Sequence, residues 1–104
     1  MTEQQFRWRM RNGEWVQPSK MRTTHLFYTL RMIWNNLAPE HARVGRVKIY
    51  HFGPTYTTDY LREAVRSIGK ELEERTDLPI NMRIELEMMT ALLRKIPKRI
   101  RRYI

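Results

Sequence analysis

Cysteine is absent from the sequence, and its absence excludes three kinds of protein chemistry. Disulfide scaffolds, thiolate metal sites and cysteine nucleophiles all require a thiol, and a chain without one fits an intracellular environment. Long apolar runs are also missing, since none approaches the roughly 20 residues that a membrane-spanning helix needs. Residues 1–10 lack the apolar core of a signal peptide. We therefore expect a protein without a membrane partner.

Catalytic signatures are equally scarce. The sequence has no phosphate-binding glycine loop, no nucleophile elbow and no kinase signature. His25, His41 and His51 are too far apart along the chain to form a close helical ligand pair, so no zinc site is indicated. The acidic residues between positions 59 and 77 have the spacing of a solvated helix face. We favour this interpretation over a two-metal nuclease site at Asp59 and Glu63. We expect a protein that is not an enzyme and that binds no cofactor or metal.

Negative charge is in short supply at both ends of the chain. Lys and Arg number 20 against 11 for Asp and Glu, which gives a net charge of +9 over 104 residues. Residues 1–37 contain six cations and two acids, residues 38–77 contain seven of each, and residues 78–104 contain seven and two. The whole excess therefore comes from the two ends, and such a basic balance indicates an anionic partner.

The N-terminal residues predict a β-hairpin over residues 6–17. Apolar residues at positions 6, 8 and 10 alternate with arginines at 7, 9 and 11, which places the two sets on opposite faces of a strand. Asn12-Gly13 is the favoured pair for a two-residue type I′ turn. That turn would place Met10 opposite Trp15 and bring the Trp15 ring onto the apolar face.

Apolar residues at three- and four-residue spacing predict three amphipathic helices. We expect the first over residues 24–37 with a threonine cap at position 23 or 24, and the second from a threonine cap at 57 or 58 to near Arg75. The third follows Asp77, and its helix-forming composition outweighs a competing period-two pattern between Met82 and Met88. The apolar stripes are predicted at Leu26, Phe27, Leu30, Ile33, Trp34 and Leu37, at Leu61, Ala64, Val65, Ile68 and Leu72, and at Met82, Leu86, Met89, Leu93 and Ile96.

Residues 46–52 are rich in β-branched and aromatic side chains, and they predict a third short strand that ends at Gly53-Pro54. The element order indicates an α+β fold. In this fold the N-terminal β-hairpin and the third strand form a small antiparallel sheet packed on three α-helices. We expect residues 1–96 to form a single compact domain and residues 97–104 to form a basic C-terminal tail.

The strongest basic run lies at the C-terminal end, where six cations fall within nine residues without an acid. Pro97 disfavours an unbroken helix through them. Such a run repels itself and gains stability by meeting phosphates or an acidic protein, although a merely solubilising tail is the alternative. The candidate binding residues in this run are Arg94, Lys95, Lys98, Arg99, Arg101 and Arg102.

The hairpin arginines are the second basic feature. Arg7, Arg9 and Arg11 would lie about 7 Å apart along one face of a strand, a spacing comparable to that of successive phosphates on a nucleic-acid strand. The planar guanidinium group suits bidentate contact with a phosphate. The alternative is a solvated hairpin face that like charges protect against edge-to-edge aggregation.

Most of the aromatic residues fall on the predicted core faces. Tyr28 and Tyr56 lie off those faces, and Tyr103 lies in the basic tail. These three tyrosines are therefore the aromatic candidates for contact with a partner, for example by base stacking.

The stretch from Trp15 to Leu37 resembles a pattern of small tailed-bacteriophage proteins. In those proteins a turn with glycine is followed by methionine and then by His-Leu at the start of a helix. The matching residues here are Asn12-Gly13 and Met21-Arg22-Thr23-Thr24-His25-Leu26. The resemblance implies a phage source and an accessory role in the cytoplasm of a bacterial host cell, and it supplies no catalytic residue.

Two functions remain open. In the first, the protein binds nucleic acid or a nucleoprotein complex through a basic surface formed by both ends of the chain. In the second, it is a phage inhibitor of a host or defence protein, in the manner of anti-CRISPR proteins, and its basic surface meets an acidic groove. A small basic pocket for a nucleotide signal is a third possibility. The placement of charge favours the first function.

Overall fold

A computed structural model describes residues 6–95 of the chain, except for the side chains of residues 94 and 95. The architecture is α+β, with a short antiparallel hairpin followed by three helices. The hairpin strands are β1 (Trp8–Arg9) and β2 (Trp15–Val16), the helices are α1 (Thr23–Leu37), α2 (Thr58–Glu73) and α3 (Ile80–Lys95), and single 3₁₀ turns lie at Pro18–Lys20 and Glu40–Ala42. The predictions of a hairpin and three helices are confirmed.

The hydrophobic core is built mainly by α1 and α2, which make the most extensive contact between helices. The predicted stripes of both helices are buried, except that Leu37 is half-buried, and α3 adds Met82, Leu86 and Met89. Each large aliphatic or aromatic side chain that is fully buried contributes about 1.5–3 kcal/mol. The largest fully buried side chains are Trp34, Phe27, Leu26, Leu30, Ile33, Ile68, Leu72 and Leu86.

The start of α2 follows the sequence prediction closely. Thr57 is the N-cap residue, and its Oγ1 accepts a hydrogen bond of 3.1 Å from the backbone N–H of Tyr60. Asp59 lies in the first turn, where the positive end of the helix dipole favours an anion. This cap determines where α2 begins, and it therefore also sets the position of Tyr60, one turn inside the helix.

The prediction of a threonine cap for α1 is wrong. The N-cap residue is Arg22, whose side chain makes no capping hydrogen bond, and Thr23 is already helical. The Thr23 hydroxyl instead donates to Oδ1 of Asp77 at 2.7 Å, and it accepts from Nη1 of Arg75 at 2.9 Å. A buried threonine hydroxyl between these two charged groups joins the start of α1 to the segment that links α2 and α3.

Arg75 organises this junction. Its Nε forms an ion pair of 2.9 Å with Glu71, as the four-residue spacing predicts. Its Nη2 donates to the backbone carbonyls of Pro18 and Met21 at 3.1 and 2.9 Å. The guanidinium group thus satisfies carbonyls of the chain that enters α1 while its own charge is compensated by a carboxylate.

The hairpin turn differs from the predicted type I′ turn by one residue. Gly13 has φ 93°, but Asn12 stays outside the left-handed region that a type I′ turn demands of both central residues. The carboxamide oxygen of Asn12 instead accepts a hydrogen bond from the backbone N–H of Glu14 at 3.0 Å. The loop therefore has three residues, and Met10 rather than Arg11 pairs with Glu14, through Met10 N–H and Glu14 C=O at 2.6 Å.

The extra loop residue shifts the register of the whole hairpin. Trp8 lies opposite Val16 and Arg9 lies opposite Trp15. Directly opposed residues share a face of an antiparallel pair, and a shift of one residue moves a side chain to the other face. The expectation that Trp15 joins the apolar face is therefore wrong, because Trp15 lies on the same face as Arg9.

The predicted third strand over residues 46–52 is not present in the described chain, and the only sheet there is the two-stranded hairpin. The amide of Asn36 explains this, because it holds Tyr50 against the C-terminal part of α1. Asn36 Nδ2 donates to the Tyr50 carbonyl at 2.6 Å, and the Tyr50 N–H donates to Asn36 Oδ1 at 3.1 Å. The side-chain amide of Asn36 thus forms the two hydrogen bonds that a neighbouring strand would form with Tyr50.

Gly45 lies where the chain passes over an ion pair between α1 and α3. Arg31 Nη1 and Glu85 Oε1 are 3.0 Å apart, and Gly45 has φ 64°. A methyl group at this position would lie 2.6 Å from Arg31 Nη1 and 2.9 Å from Glu85 Oε1. The positive φ favours glycine, and a methyl group would in addition force the ends of the Arg31 and Glu85 side chains to shift.

We therefore predict that Gly45→Ala destabilises the protein by at least about 1 kcal/mol, because alanine is strained at positive φ and displaces the Arg31–Glu85 pair. Gly53→Ala is the matched control, since nothing lies within 4 Å of a methyl group there. Chemical denaturation of both variants measures the free energy of unfolding. Equal losses in the two variants would contradict the assignment.

Candidate nucleic-acid interface

The predicted alternation of β1 and its flanking residues is confirmed. Trp8 is buried and Phe6 and Met10 are half-buried, whereas Arg7 and Arg11 are exposed and Arg9 is half-buried. The arginines therefore lie on the solvent side of the hairpin. We call the surface formed by Arg7, Arg9, Arg11 and Trp15 the arginine face.

Trp15 is the residue of the arginine face that sequence reasoning missed. Its side chain is 49% exposed, and the Arg9 guanidinium carbon lies 5.2 Å from the centre of its ring. An exposed tryptophan with an arginine over one ring combines an apolar stacking surface with a positive charge. The signal was present in Asn12-Gly13, because this pair also occurs in three-residue loops that have glycine in the left-handed position.

The positive charge of the arginine face has no carboxylate partner among residues 6–95. Within residues 6–95 the ion pairs between Arg and Asp or Glu are Arg31–Glu85, Arg62–Asp59 and Arg75–Glu71, and none of them involves a residue of the hairpin. Glu14 is the acid nearest in sequence, and its carboxylate accepts a hydrogen bond of 2.6 Å from Asn12. The three hairpin arginines are thus available to an anion from outside.

Two tyrosine hydroxyls hold the hairpin against the N-terminal end of α2. The Tyr60 hydroxyl accepts from the Arg9 backbone N–H at 2.8 Å and donates to the Arg7 carbonyl at 2.7 Å. The Tyr56 hydroxyl donates to the Arg9 carbonyl at 2.8 Å. These bonds engage the backbone of the arginine-bearing strand, so the arginine side chains keep their direction toward solvent.

Stacked rings extend the same attachment. The Tyr60 ring is parallel to the Trp8 ring within 2°, with centroids 5.7 Å apart, and it stacks on Phe6 at 5.3 Å. The edge of Trp15 meets Tyr60 at 6.2 Å from the other strand. Aromatic pairs at such distances contribute about 0.5–1.5 kcal/mol each beyond their burial, which compensates for strands of only two residues.

Burial raises the pKa of the Tyr60 hydroxyl above its ordinary value, and the nearby Tyr56 acts in the same direction. The hydrogen bond from the Arg9 backbone opposes this shift without cancelling it. A neutral Tyr60 is required by the geometry as well, because only the protonated hydroxyl donates to the Arg7 carbonyl.

We predict that Tyr60→Phe lowers the free energy of unfolding by about 1–3 kcal/mol, since it leaves the Arg9 N–H and the Arg7 carbonyl without their partner. The ring stacking is retained in this variant. Relative to the wild type, amide hydrogen exchange in the variant should become faster in residues 7–16 and remain unchanged in α1. A uniform increase over both regions would contradict a local role in holding the hairpin.

The raised pKa also predicts a pH dependence. The hydroxyl's contribution to stability is fully present below the unfolded-state tyrosine pKa of about 10, and it is lost as the pH rises through the raised folded-state value. Denaturation of the wild type and of Tyr60→Phe across this range should show a stability difference that shrinks with increasing pH. A difference that stays constant or grows would show that the Tyr60 proton does not support the hairpin.

The remaining predicted contact residues are not brought together by the described structure. Tyr28 is 49% exposed on α1, and its ring contacts are with Phe27 and Arg31 of the same helix. Tyr56, expected off the core faces, is instead half-buried against Phe52 and Trp8. Its hydroxyl is engaged by the hairpin, so its role here is to position the arginine face.

The C-terminal candidates are described only in part. Arg94 and Lys95 form the last residues of α3, and their side chains lie outside the described part of the structure. Lys98, Arg99, Arg101, Arg102 and Tyr103 lie outside the described residues altogether. The proposed convergence of both ends on one surface, and the division into a domain and a tail, remain predictions.

A second exposed surface lies on α3. Ile80, Ile84 and Met88 follow one another at four-residue spacing, and they are 72%, 52% and 49% exposed. The buried residues of α3, Met82, Leu86 and Met89, lie on a different side of the helix. α3 therefore has apolar side chains on two faces, and only one of them contributes to the core.

Neither a metal site nor a membrane span is found in the described residues. The side chains of His, Asp and Glu in residues 6–95 form no group of three that could hold a metal ion. None of the helices formed by these residues has both the length and the apolar character that crossing a bilayer requires.

Comparisons of the chain with protein-family models, with curated proteins and with solved structures find no match. The resemblance to phage accessory proteins therefore remains an inference from residues 12–37.

Proposed function

We propose that the protein is a non-catalytic accessory protein, of the phage type that the resemblance implies, and that its arginine face binds nucleic acid. The single observation that carries this proposal is that three outward arginines, which form no ion pair with a described residue, share a face with a half-exposed tryptophan. Phosphates meet the guanidinium groups, and a base stacks on the Trp15 ring.

This combination favours a single strand over a duplex. A base can reach a tryptophan ring only if it is not already stacked and paired inside a helix. The arginines follow one strand at intervals of about 7 Å, so they track a single line of phosphates. The rigid attachment to Tyr56 and Tyr60 keeps this arrangement in place before binding, which reduces the entropy lost on association.

The test is the salt dependence of binding to mixed-sequence single-stranded DNA and RNA, measured by fluorescence anisotropy. Replacing Arg7, Arg9 and Arg11 by Gln should reduce the slope of log affinity against log salt concentration by about 2, because each single-strand phosphate contact contributes about 0.7. The matched control removes three exposed or half-exposed cations elsewhere, Arg22, Arg66 and Lys70. An equal change in both variants would show attraction by net charge alone, without a site.

Trp15→Ala separates stacking from charge. The loss of one stacked base should weaken binding by about 1–3 kcal/mol, which is about five-fold to a hundred-fold, and leave the salt slope unchanged. Quenching of tryptophan fluorescence by the oligonucleotide should disappear in the same variant, because Trp8 and Trp34 are buried. Undiminished quenching would show that the base does not contact Trp15.

A second candidate function is inhibition of a host or defence protein, and the outer face of α3 is the observation that favours it. Exposed Ile and Met side chains in a row are typical of protein contacts. The variants distinguish the two functions. Ile84→Glu with Met88→Glu should leave nucleic-acid affinity unchanged if the arginine face is the site, whereas an inhibitor that uses α3 would lose its target protein with this double variant.

A further inference from the structure

The segment from Arg46 to Phe52 has the sequence of a strand but no strand partner. Its β-branched and aromatic side chains are the reason that a strand is predicted there, and charged and aliphatic residues alternate through Arg46, Val47, Lys48 and Ile49. In the structure residues 47–53 run without a turn or a bend. After a bend at residues 45–46, the segment is strand-like in composition and has no strand partner among the described residues.

Two asparagine side chains anchor this segment to α1. Asn35 exchanges two hydrogen bonds of 2.9 Å with the backbone of Val44, and Asn36 exchanges bonds of 2.6 and 3.1 Å with the backbone of Tyr50. Each amide provides one donor and one acceptor, as a residue of a neighbouring strand does. Both ends of the segment are thus held in place.

The backbone between the two anchors is open. In the described structure the N–H and C=O groups of residues 45–49 and 51–52 have no hydrogen-bond partner within the protein. These residues are exposed apart from the half-buried Phe52, so water can satisfy the groups. In a strand the groups of alternate residues share an edge, and those of Tyr50 face α1, so residues 47, 49 and 51 supply the unpaired row on the outer edge. Such a row is a template for the addition of another strand.

The side chains indicate the chemistry of the added strand. Val47, Ile49 and Tyr50 are 44%, 50% and 42% exposed, which is apolar surface that a strand would cover. Arg46 and Lys48 are exposed and have no carboxylate partner among the described residues, and Lys48 Nζ lies 5.3 Å from the centre of the Tyr50 ring. The charge complement is a segment in which carboxylates alternate with aliphatic side chains.

We propose that residues 46–52 form a strand-addition site that takes up an extended, acidic segment of a partner protein. Backbone hydrogen bonds between the anchored segment and the added strand supply affinity, and Arg46 and Lys48 select the acidic partner. The site is separate from the arginine face and does not depend on the proposed nucleic-acid binding.

Other occupants fit the segment less well. A second copy of the segment would bring the cations Arg46 and Lys48 of both copies to the same edge, and like charges across a strand pair are destabilising. Residues 94–102 contain six cations, so the C-terminal end of this chain has the wrong charge. A nucleic-acid strand would find a single exposed ring, that of Tyr50, and its phosphates would leave the exposed aliphatic side chains of Val47 and Ile49 without a partner.

The test uses a labelled synthetic peptide of alternating Glu and Val, of the same length as the segment, with the full-length protein. Fluorescence anisotropy should show saturable binding, and hydrogen exchange should slow at residues 46–52 when the peptide is added. The same peptide with N-methylated backbone amides retains its side chains but cannot donate ladder bonds, and it should bind at least about ten-fold more weakly.

Charge variants complete the test. Arg46→Glu with Lys48→Glu should weaken binding of the Glu–Val peptide about ten-fold or more, because like charges then face each other, and should strengthen binding of a Lys–Val peptide. Arg66→Glu with Lys70→Glu on α2 is the control with the same charge change, and it should have little effect.

Four outcomes would overturn the proposal. The first two are absence of saturable peptide binding and equal binding of the N-methylated peptide. The third is protection of residues 46–52 from hydrogen exchange that rises with protein concentration in the absence of peptide. The fourth is displacement of the labelled peptide by an oligonucleotide and not by unlabelled peptide. The third would assign the site to a second copy of this chain, and the fourth to nucleic acid. The first three outcomes leave the proposed nucleic-acid binding untouched, since the residues of the arginine face are unchanged in every variant of this test.

Discussion

The hydrogen bonds from Tyr56 and Tyr60 to the backbone of residues 7–9 are the interaction on which the candidate site depends. An isolated two-stranded hairpin is marginally stable in water, and strands of two residues have few ladder bonds of their own. The two hydroxyls supply backbone partners from outside the sheet, and the rings around Tyr60 supply apolar contact. Because the tyrosines lie at the N-terminal end of α2, the Thr57 cap that fixes this end also helps to position the arginine face.

Charge is distributed in accordance with this arrangement. Cations that support the fold are paired or bonded to carbonyls, as Arg75 is with Glu71, Thr23 and two backbone oxygens. Cations of the hairpin have no such partners among the described residues. The structural arginines are compensated by described residues and the hairpin arginines are not. The positive potential is therefore concentrated at the hairpin.

Asn35 and Asn36 show how the fold substitutes side chains for a missing strand. The composition of residues 46–52 predicts a strand that the structure does not form, because strand formation also needs a neighbour at the right distance. The asparagine amides at the end of α1 provide that neighbour at Val44 and Tyr50 only. No local pattern reveals this, since the partners are nine and fourteen positions apart in the chain and belong to elements of different type.

Periodicity alone determined the hairpin, the three helices and most of the core, because the burial of one face is a local property of a strand or helix. It also determined that Arg7, Arg9 and Arg11 share the solvent face. The tertiary structure decided which face Trp15 occupies, since one additional loop residue moves each side chain of β2 to the opposite face of the hairpin. The length of the loop depends on the turn type, and Asn12-Gly13 permits more than one type. It decided as well that Tyr56 serves the hairpin, because only the packing of α2 brings its hydroxyl to the Arg9 carbonyl.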